Sequence, residues 1–82
     1  MLTVRKKDLI IIGGGPAGLS AGIYASRFAL NTLLIERRAP GGLVTRTQNI
    51  ENYPGFPNIS GAELMSQMER QARGFGLEIM TV

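Results

Sequence analysis

Residues 8–36 read DLIIIGGGPAGLSAGIYASRFALNTLLIE. The four aliphatic residues before the glycines are typical of a strand that is buried on both faces of a parallel sheet. A glycine turn, a helix rich in small residues, and a second apolar run that ends in Glu36 follow in that order. This order predicts the βαβ unit that begins a Rossmann-like, dinucleotide-binding α/β domain.

The glycine turn has the spacing Gly-x-Gly-x-x-Gly, and each glycine has a separate predicted role. Gly13 permits the tight turn out of the strand, Gly15 lets a diphosphate approach the backbone, and Gly18 lets the helix pack close to the strand. Pro16 suits the first helical turn because it gives up an N–H group that the helix would not use. The remaining N–H groups of that turn would face the phosphates. The alternative is a glycine-rich turn that binds no ligand.

Glu36 follows Gly18 by 18 residues, against the ~20 expected for the acid that binds the ribose. The alternative for Glu36 is a surface acid at the end of a strand. Arg37 and Arg38 raise a second possibility, an NADP(H) module in which they bind the 2′-phosphate. Glu36 argues against that possibility, because a carboxylate placed for a 2′-hydroxyl repels a phosphate.

Composition excludes several functions. The 82 residues include no cysteine and no histidine, which removes disulfides, zinc–thiolate sites and thiol redox chemistry from this chain, and we predict no metal site. The net charge is +3, but the basic residues are scattered without interleaved aromatics, so we expect no nucleic-acid partner. The uncharged span of residues 9–25 contains five glycines and a proline and therefore does not indicate a signal peptide or membrane helix. We expect a cytoplasmic protein.

The other predicted elements follow from local patterns. The first helix runs from Pro16 to about Ala29 with Asn31 as its cap, and the second strand covers residues 32–35, parallel to the first. Residues 37–59 lack a helical period and are predicted to be an ordered loop. Residues 1–7 are expected to be a frayed lead-in.

A second helix is predicted from a capping box, Ser60 to Glu63, to about Arg73. Residues 77–82 are predicted to form a third strand. The apolar face of the second helix is assigned to the core rather than to a cofactor site, and it comprises Leu64, Met68, Ala72 and Phe75.

Three stretches together resemble the N-terminal part of bacterial thioredoxin reductases, class II pyridine nucleotide-disulfide oxidoreductases. These stretches are GGGPAGLSAGIYASR (13–27), GGLVTRTQNIENYPGFP (41–57) and SGAELMSQMERQARGFGLEI (60–79). The middle stretch is the most specific. Relatives of similar build include ferredoxin–NADP reductases and the flavoprotein component of alkyl hydroperoxide reductase.

The resemblance implies that the glycine turn binds the ADP part of FAD and that Glu36 accepts hydrogen bonds from the adenosine ribose. Asn52 would contact the flavin, although an Asx turn that only holds the loop is the alternative for this residue. Leu43 stands where the family usually has glutamine, so a side-chain amide near the cofactor is lost and the contact of that amide is in doubt. Arg46 stands in a run that is usually rich in threonine. The candidate cofactor-binding residues are Gly13, Gly15, Pro16, Ala17, Gly18, Glu36, Arg37, Gly41, Gly42, Leu43 and Asn52.

The resemblance further implies an NADPH-dependent thioredoxin-disulfide reductase that is a homodimer and whose partner is thioredoxin or another redox protein. Residues 1–82 would be the N-terminal part of its FAD-binding domain, without the NADPH domain and without catalytic residues. The alternatives are a ferredoxin or flavodoxin–NADP reductase of the same build and a non-catalytic dinucleotide-binding fragment. The isolated chain is expected to be inactive and not to be a complete fold.

Overall fold

The computed structural model describes residues 4–38 and 40–82. Three parallel strands form one sheet in the order β1-β2-β3, and α1 and α2 connect successive strands. A 3₁₀ helix lies between β2 and α2. The elements are β1 (Leu9–Ile12), α1 (Pro16–Arg27), β2 (Thr32–Glu36), the 3₁₀ helix (Gly42–Arg46), α2 (Gly61–Gly74) and β3 (Glu78–Thr81). The predicted Rossmann-like α/β fold is confirmed.

The two helices lie on the same face of the sheet. Both crossovers run in the same direction along the strand order, and right-handed connections of this kind place their helices on one side. α1 and α2 accordingly pack against each other. The core lies between them and β2, where Leu19 and Leu34 are fully buried and Met65 is 2% exposed.

The predicted apolar face of α2 is confirmed at Leu64, Met68 and Ala72, which are all buried in this core. Phe75 was wrongly placed there, because it follows the last helical residue and its side chain is 45% exposed. The Arg27 guanidinium lies 5.7 Å from the centre of the Phe75 ring. Met65, which the prediction did not include in this face, is buried in the core.

α2 begins as the sequence predicts. The Ser60 Oγ accepts a hydrogen bond from the Glu63 N–H at 3.1 Å, which satisfies one of the free donors of the first turn. The return bond of a full capping box, from the Glu63 side chain to the Ser60 backbone, does not occur among the hydrogen bonds of the described residues.

The prediction that β1 is buried on both faces is wrong for this chain. Side chains alternate between the two faces of a strand, and Ile11 packs against the core while Ile10 and Ile12 are 53% and 78% exposed. The physical reason is that both helices cover the same face and β1 is an edge strand. One face of the sheet is therefore apolar and open at β1.

α1 ends earlier than predicted, and Asn31 is not its cap. Ala29 has a φ of 61°, and the N–H groups of Ala29 and Leu30 donate to the carbonyls of Ser26 and Ala25. This pattern is a Schellman ending, in which the left-handed residue is an alanine instead of the usual glycine.

Asn31 instead connects the segment before β1 to the start of β2. Its backbone N–H donates to the Asp8 carboxylate at 2.8 Å, and its side-chain oxygen accepts from the Lys7 Nζ at 3.0 Å. Lys7 also contacts the Glu78 carboxylate at 2.8 Å, and Arg5 contacts it at 2.6 Å. Residues 5–7 are therefore held to the sheet instead of fraying. The first three residues of the predicted lead-in lie outside the described residues.

The segment of residues 37–59 contains more structure than the predicted loop. The 3₁₀ helix is held locally, with the Thr45 hydroxyl donating to the Gly42 carbonyl at 2.8 Å. After the 3₁₀ helix, Ile50 and Ile59 form an antiparallel bridge at the base of the loop of residues 51–58. In the part of the chain that the structure describes, no helix has the length and apolar character needed to cross a membrane.

Candidate functional site

The glycine turn joins β1 to α1 by a close approach of backbone to backbone. Gly13 has a φ of 100°, a conformation that favours glycine, and its N–H donates to the Ile35 carbonyl at 2.8 Å. A Cβ added to Gly18 would lie 1.9 Å from the Gly13 carbonyl oxygen. The first turn of α1 therefore packs directly on the end of β1, and only glycine at position 18 permits this distance.

The N-terminus of α1 leaves backbone donors without an acceptor. Gly15 is the N-cap and offers no side chain, and Pro16 occupies the first turn. The N–H groups of Ala17 and Gly18 have no acceptor within the helix. A Cβ added to Gly15 would meet no atom within 4 Å, so the backbone here borders open space. These features fit a phosphate group, which would accept hydrogen bonds from the free N–H groups at the positive end of the helix.

Gly14 connects three parts of the site, and the sequence analysis did not identify it. Its N–H donates to the Glu36 Oε2 at 2.6 Å, and its carbonyl accepts from the Gly41 N–H at 2.6 Å. A Cβ at Gly14 would lie 3.2 Å from both that carboxylate oxygen and the Leu34 side chain. The available signal was a third glycine at a position that the Gly-x-Gly-x-x-Gly motif leaves free.

The Glu36 carboxylate lies at the end of β2 beside the glycine turn, as its position in the sequence predicts. Its Oε2 accepts from Gly14, and its Oε1 accepts from the backbone N–H groups of Arg37 at 2.7 Å and Arg38 at 3.4 Å. The hydrogen bond from Gly14, followed by those from Arg37 and Arg38, lowers the pKa of Glu36 below its ordinary value. The side chain is therefore an ionised acceptor at neutral pH.

Gly41 and Gly42 form the second wall of the site. Gly41 has a φ of 120°, and a Cβ there would lie 2.4 Å from the Thr45 side chain. A Cβ on Gly42 would lie 3.7 Å from the Gly15 Cα. The Gly41-Gly42 pair and the glycine turn therefore face each other across a narrow gap, although 26 residues separate Gly15 from Gly41.

A pocket of about 310 Å³ opens beside this gap. It brings together three of the predicted residues, Glu36, Gly42 and Leu43, and the Leu43 side chain is 75% exposed at its rim. Arg37 contributes its backbone N–H to Glu36 and is not among the residues that line the pocket. The remaining residues of the lining are Arg38, Pro40, Thr45 and Arg46.

Asn52 is not brought to this pocket. It lies in a separate, open hollow that residues 51–57 form on their own. The turn there is closed by the backbone, with the Phe56 N–H donating to the Tyr53 carbonyl at 3.0 Å and Gly55 at a φ of 94°. The rings of Tyr53 and Phe56 are 6.2 Å apart, centre to centre.

A parallel sheet with a glycine turn between its first strand and helix, and an acid at the end of its second strand, defines a Rossmann-like α/β protein. Residues 7–81 match the model of the pyridine nucleotide-disulphide oxidoreductases, and the chain belongs to this family. The pocket and the glycine turn lie next to each other, with Gly42 in the pocket lining and close to Gly15. No group of three or more acidic, histidine or cysteine residues that could hold a metal ion occurs within residues 4–38 and 40–82.

Several thioredoxin reductases are similar to this chain. It is 54% identical over 71 residues to thioredoxin reductase from Bacillus subtilis (strain 168). The aligned residues cover 87% of this chain and 22% of that protein. It is 51% identical over 75 residues to a 34.2 kDa protein in the rubredoxin operon of Clostridium pasteurianum, covering 92% of this chain and 24% of that protein.

Solved structures agree with these matches. The crystal structure of Lactococcus lactis thioredoxin reductase superposes with a TM-score of 0.89 at 46% identity, covering 93% of this chain and 25% of that one. The resemblance to bacterial thioredoxin reductases is therefore confirmed. The chain spans about a quarter of the length of these relatives.

Proposed function

We propose that residues 1–82 form the N-terminal part of the FAD-binding domain of an NADPH-dependent thioredoxin-disulfide reductase-like enzyme. The observation that carries this proposal is the Gly14–Glu36 hydrogen bond, which holds an ionised acceptor beside the free N–H groups of α1. An adenine dinucleotide offers the matching groups, a diphosphate and ribose hydroxyls. The similarity to thioredoxin reductases supports the choice of FAD over other dinucleotides.

Each part of the site has a role in this proposal. The N–H groups of Ala17 and Gly18 would bind the diphosphate, which Gly15 allows to approach. Glu36 would accept hydrogen bonds from the adenosine ribose, using lone pairs that the backbone N–H groups leave free. The Gly41-Gly42 wall would lie along the extended cofactor toward the flavin. Bound FAD supplies the electron-accepting ring system that these residues position.

Asn52 remains a proposed flavin contact. Its hollow is formed by an exposed turn that is tied to the rest of the chain through the Ile50–Ile59 bridge. Contact with the flavin requires a cofactor long enough to extend from the pocket to this turn, or a movement of the turn toward the pocket.

The electron-transfer partners are part of the proposal, and none of the described residues is assigned to the electron-transfer steps. The chain contains no cysteine, so the dithiol step of such an enzyme would require other residues. Thioredoxin is the proposed acceptor and a homodimer the proposed assembly. A ferredoxin or flavodoxin reductase of the same build is the second candidate, because one close relative is named for a rubredoxin operon and not as a thioredoxin reductase.

Titration calorimetry tests the cofactor assignment. Wild type, Glu36→Ala and the control Glu63→Ala, which removes an exposed carboxylate on α2, are titrated with FAD, ADP and 2′-phospho-ADP. We expect Glu36→Ala to weaken binding of FAD and ADP, and not of 2′-phospho-ADP, while Glu63→Ala behaves as wild type. A wild type that prefers 2′-phospho-ADP would overturn the FAD assignment in favour of an NADP(H) module.

A further inference from the structure

Two arginines, Arg38 and Arg46, are among the residues that line the pocket beside the glycine turn. Arg38 follows β2, and Arg46 is the last residue of the 3₁₀ helix, so two separate segments bring these cations to one cavity. In the described part of the chain, the ion pairs within 4.0 Å involve Arg5, Lys7 and Arg73. Neither Arg38 nor Arg46 therefore forms an ion pair with a carboxylate within the described residues.

The acid in the pocket does not neutralise these cations. Glu36 directs both carboxylate oxygens to backbone N–H groups, those of Gly14, Arg37 and Arg38. The residues that line the pocket therefore include two arginines and one glutamate. The free N–H groups of α1 add positive potential from the other side of the gap. The pocket favours an anionic ligand over a neutral one.

The position of the pocket specifies which part of a dinucleotide these cations would meet. Gly42 belongs to the pocket lining, and a Cβ on Gly42 would lie 3.7 Å from the Gly15 Cα. A diphosphate that lies against Gly15 therefore borders the pocket. Guanidinium groups bind phosphate oxygens through paired, charge-assisted hydrogen bonds, which are stronger than bonds from neutral N–H groups.

We propose that Arg38 and Arg46 are specificity-determining residues that bind the diphosphate from the side opposite the glycine turn. They make the site select a nucleoside diphosphate over the corresponding nucleoside. The inference rests on the proposed dinucleotide function and assigns to it two residues outside the glycine motif. It also places Arg46 in the ligand site, in a run that is usually rich in threonine in the proteins that this chain resembles.

The test compares ADP with adenosine by titration calorimetry on the full 82-residue chain. The variant is Arg38→Gln/Arg46→Gln. The matched control is Lys6→Gln/Arg70→Gln, which removes the same charge from exposed side chains that do not line the pocket. Circular dichroism checks that both variants are folded.

We expect the pocket variant to bind ADP at least about tenfold more weakly than wild type, since hydrogen bonds to charged groups contribute about this much each. Its affinity for adenosine should stay unchanged, and the control should bind both ligands as wild type does. The inference is overturned if the pocket variant keeps its affinity for ADP. It is also overturned if the variant loses affinity for ADP and adenosine equally, because the two arginines would then not bind the phosphates.

Inorganic pyrophosphate separates the failure of this inference from that of the dinucleotide function. A wild type that binds pyrophosphate through the two arginines but not ADP would reject the dinucleotide function and keep the anion subsite. A wild type that binds ADP with no contribution from the two arginines would keep the function and reject the subsite. A wild type that binds neither ligand would overturn both.

Discussion

The backbone N–H of Gly14 donates to the Glu36 carboxylate at 2.6 Å, although 22 residues separate the two in sequence. The carbonyl of the same glycine accepts from Gly41 at 2.6 Å. One peptide segment therefore fixes both Glu36, the proposed ribose acceptor, and the Gly41-Gly42 wall of the site. These contacts use main-chain atoms of Gly14, so the geometry of the site depends on the path of the backbone and on the lack of a side chain there.

Gly15→Val should abolish flavin retention and leave the fold intact. A Cβ at Gly15 meets no protein atom within 4 Å, and the φ of −74° suits any residue, so the branched side chain would occupy only the space proposed for the diphosphate. The measurement is a fluorescence titration with FAD, together with the helical circular dichroism of the purified protein. Gly18→Ala is the contrasting variant, because its Cβ would collide with the Gly13 carbonyl and it should lose helical signal as well. If Gly15→Val binds added FAD as tightly as wild type, the diphosphate does not lie at Gly15.

Leu43→Gln should increase the affinity for FAD. Leu43 is 75% exposed at the rim of the pocket, so an amide of similar length would reach the ligand without disturbing the core. One added hydrogen bond corresponds to about a fivefold gain in affinity. Flavin fluorescence titration measures the effect, and Leu43→Met controls for the change of side-chain shape. A glutamine variant that binds FAD no better than the methionine variant would show that position 43 does not contact the cofactor.

Glu78 should make the stability of the chain depend on pH in the acidic range. Hydrogen bonds from Arg5 and then Lys7 lower the pKa of Glu78 from 4.5 to about 2. A lowered pKa in the folded state contributes stability that is fully present above the unfolded value and is lost as the pH falls through the folded value. Between pH 4.5 and about 2 the contribution therefore disappears.

Thermal unfolding of wild type and Glu78→Gln, followed from neutral pH down to about 2, measures this effect. The variant should melt at a lower temperature than wild type near neutral pH, and the difference should shrink in the acidic window. Because the Glu78 and Arg5 side chains are both 42% exposed, added salt should shrink the difference as well. A difference that does not change with pH would mean that the ion pairs do not contribute to stability.

The isolated chain should associate, bind FAD only weakly and show no NADPH-dependent reduction of thioredoxin. The exposed Ile10 and Ile12 side chains form an apolar surface on an edge strand, and such edges promote association. Sedimentation and flavin content of purified residues 1–82 provide the measurement, and Ile12→Lys should reduce association without reaching the core. A soluble monomer with stoichiometric FAD would contradict the folding half of this prediction, and measurable NADPH turnover would contradict the functional half.

The order of elements could be predicted because the signals for β1, α1 and β2 are local. The strand, the glycine turn and the helix each follow from neighbouring residues, and so does the start of α2 at Ser60. The exposure of Ile12 could not be predicted, since four aliphatic residues indicate a buried strand whichever face the helices cover. It depends on both crossovers running in the same direction.

The site was predictable where it follows the motif and not where it depends on distant contacts. Glu36 and Gly15 belong to one βαβ unit, and the spacing in sequence places them together. Gly14 joins Gly41 through a contact across 27 residues, which no local pattern encodes. The position of Asn52 likewise depends on how the Ile50–Ile59 bridge directs its turn.

The edge position of β1 divides its amide groups into two classes. Leu9 and Gly13 donate their N–H groups to carbonyls at the two ends of β2, at 3.4 and 2.8 Å. Because donors alternate along a parallel strand, the N–H groups of Ile10 and Ile12 point away from β2. In hydrogen–deuterium exchange, the Ile10 and Ile12 amides should exchange quickly while that of Ile11 is protected. Any strand that adds to this edge would then be detected, residue by residue, as new protection at Ile10 and Ile12.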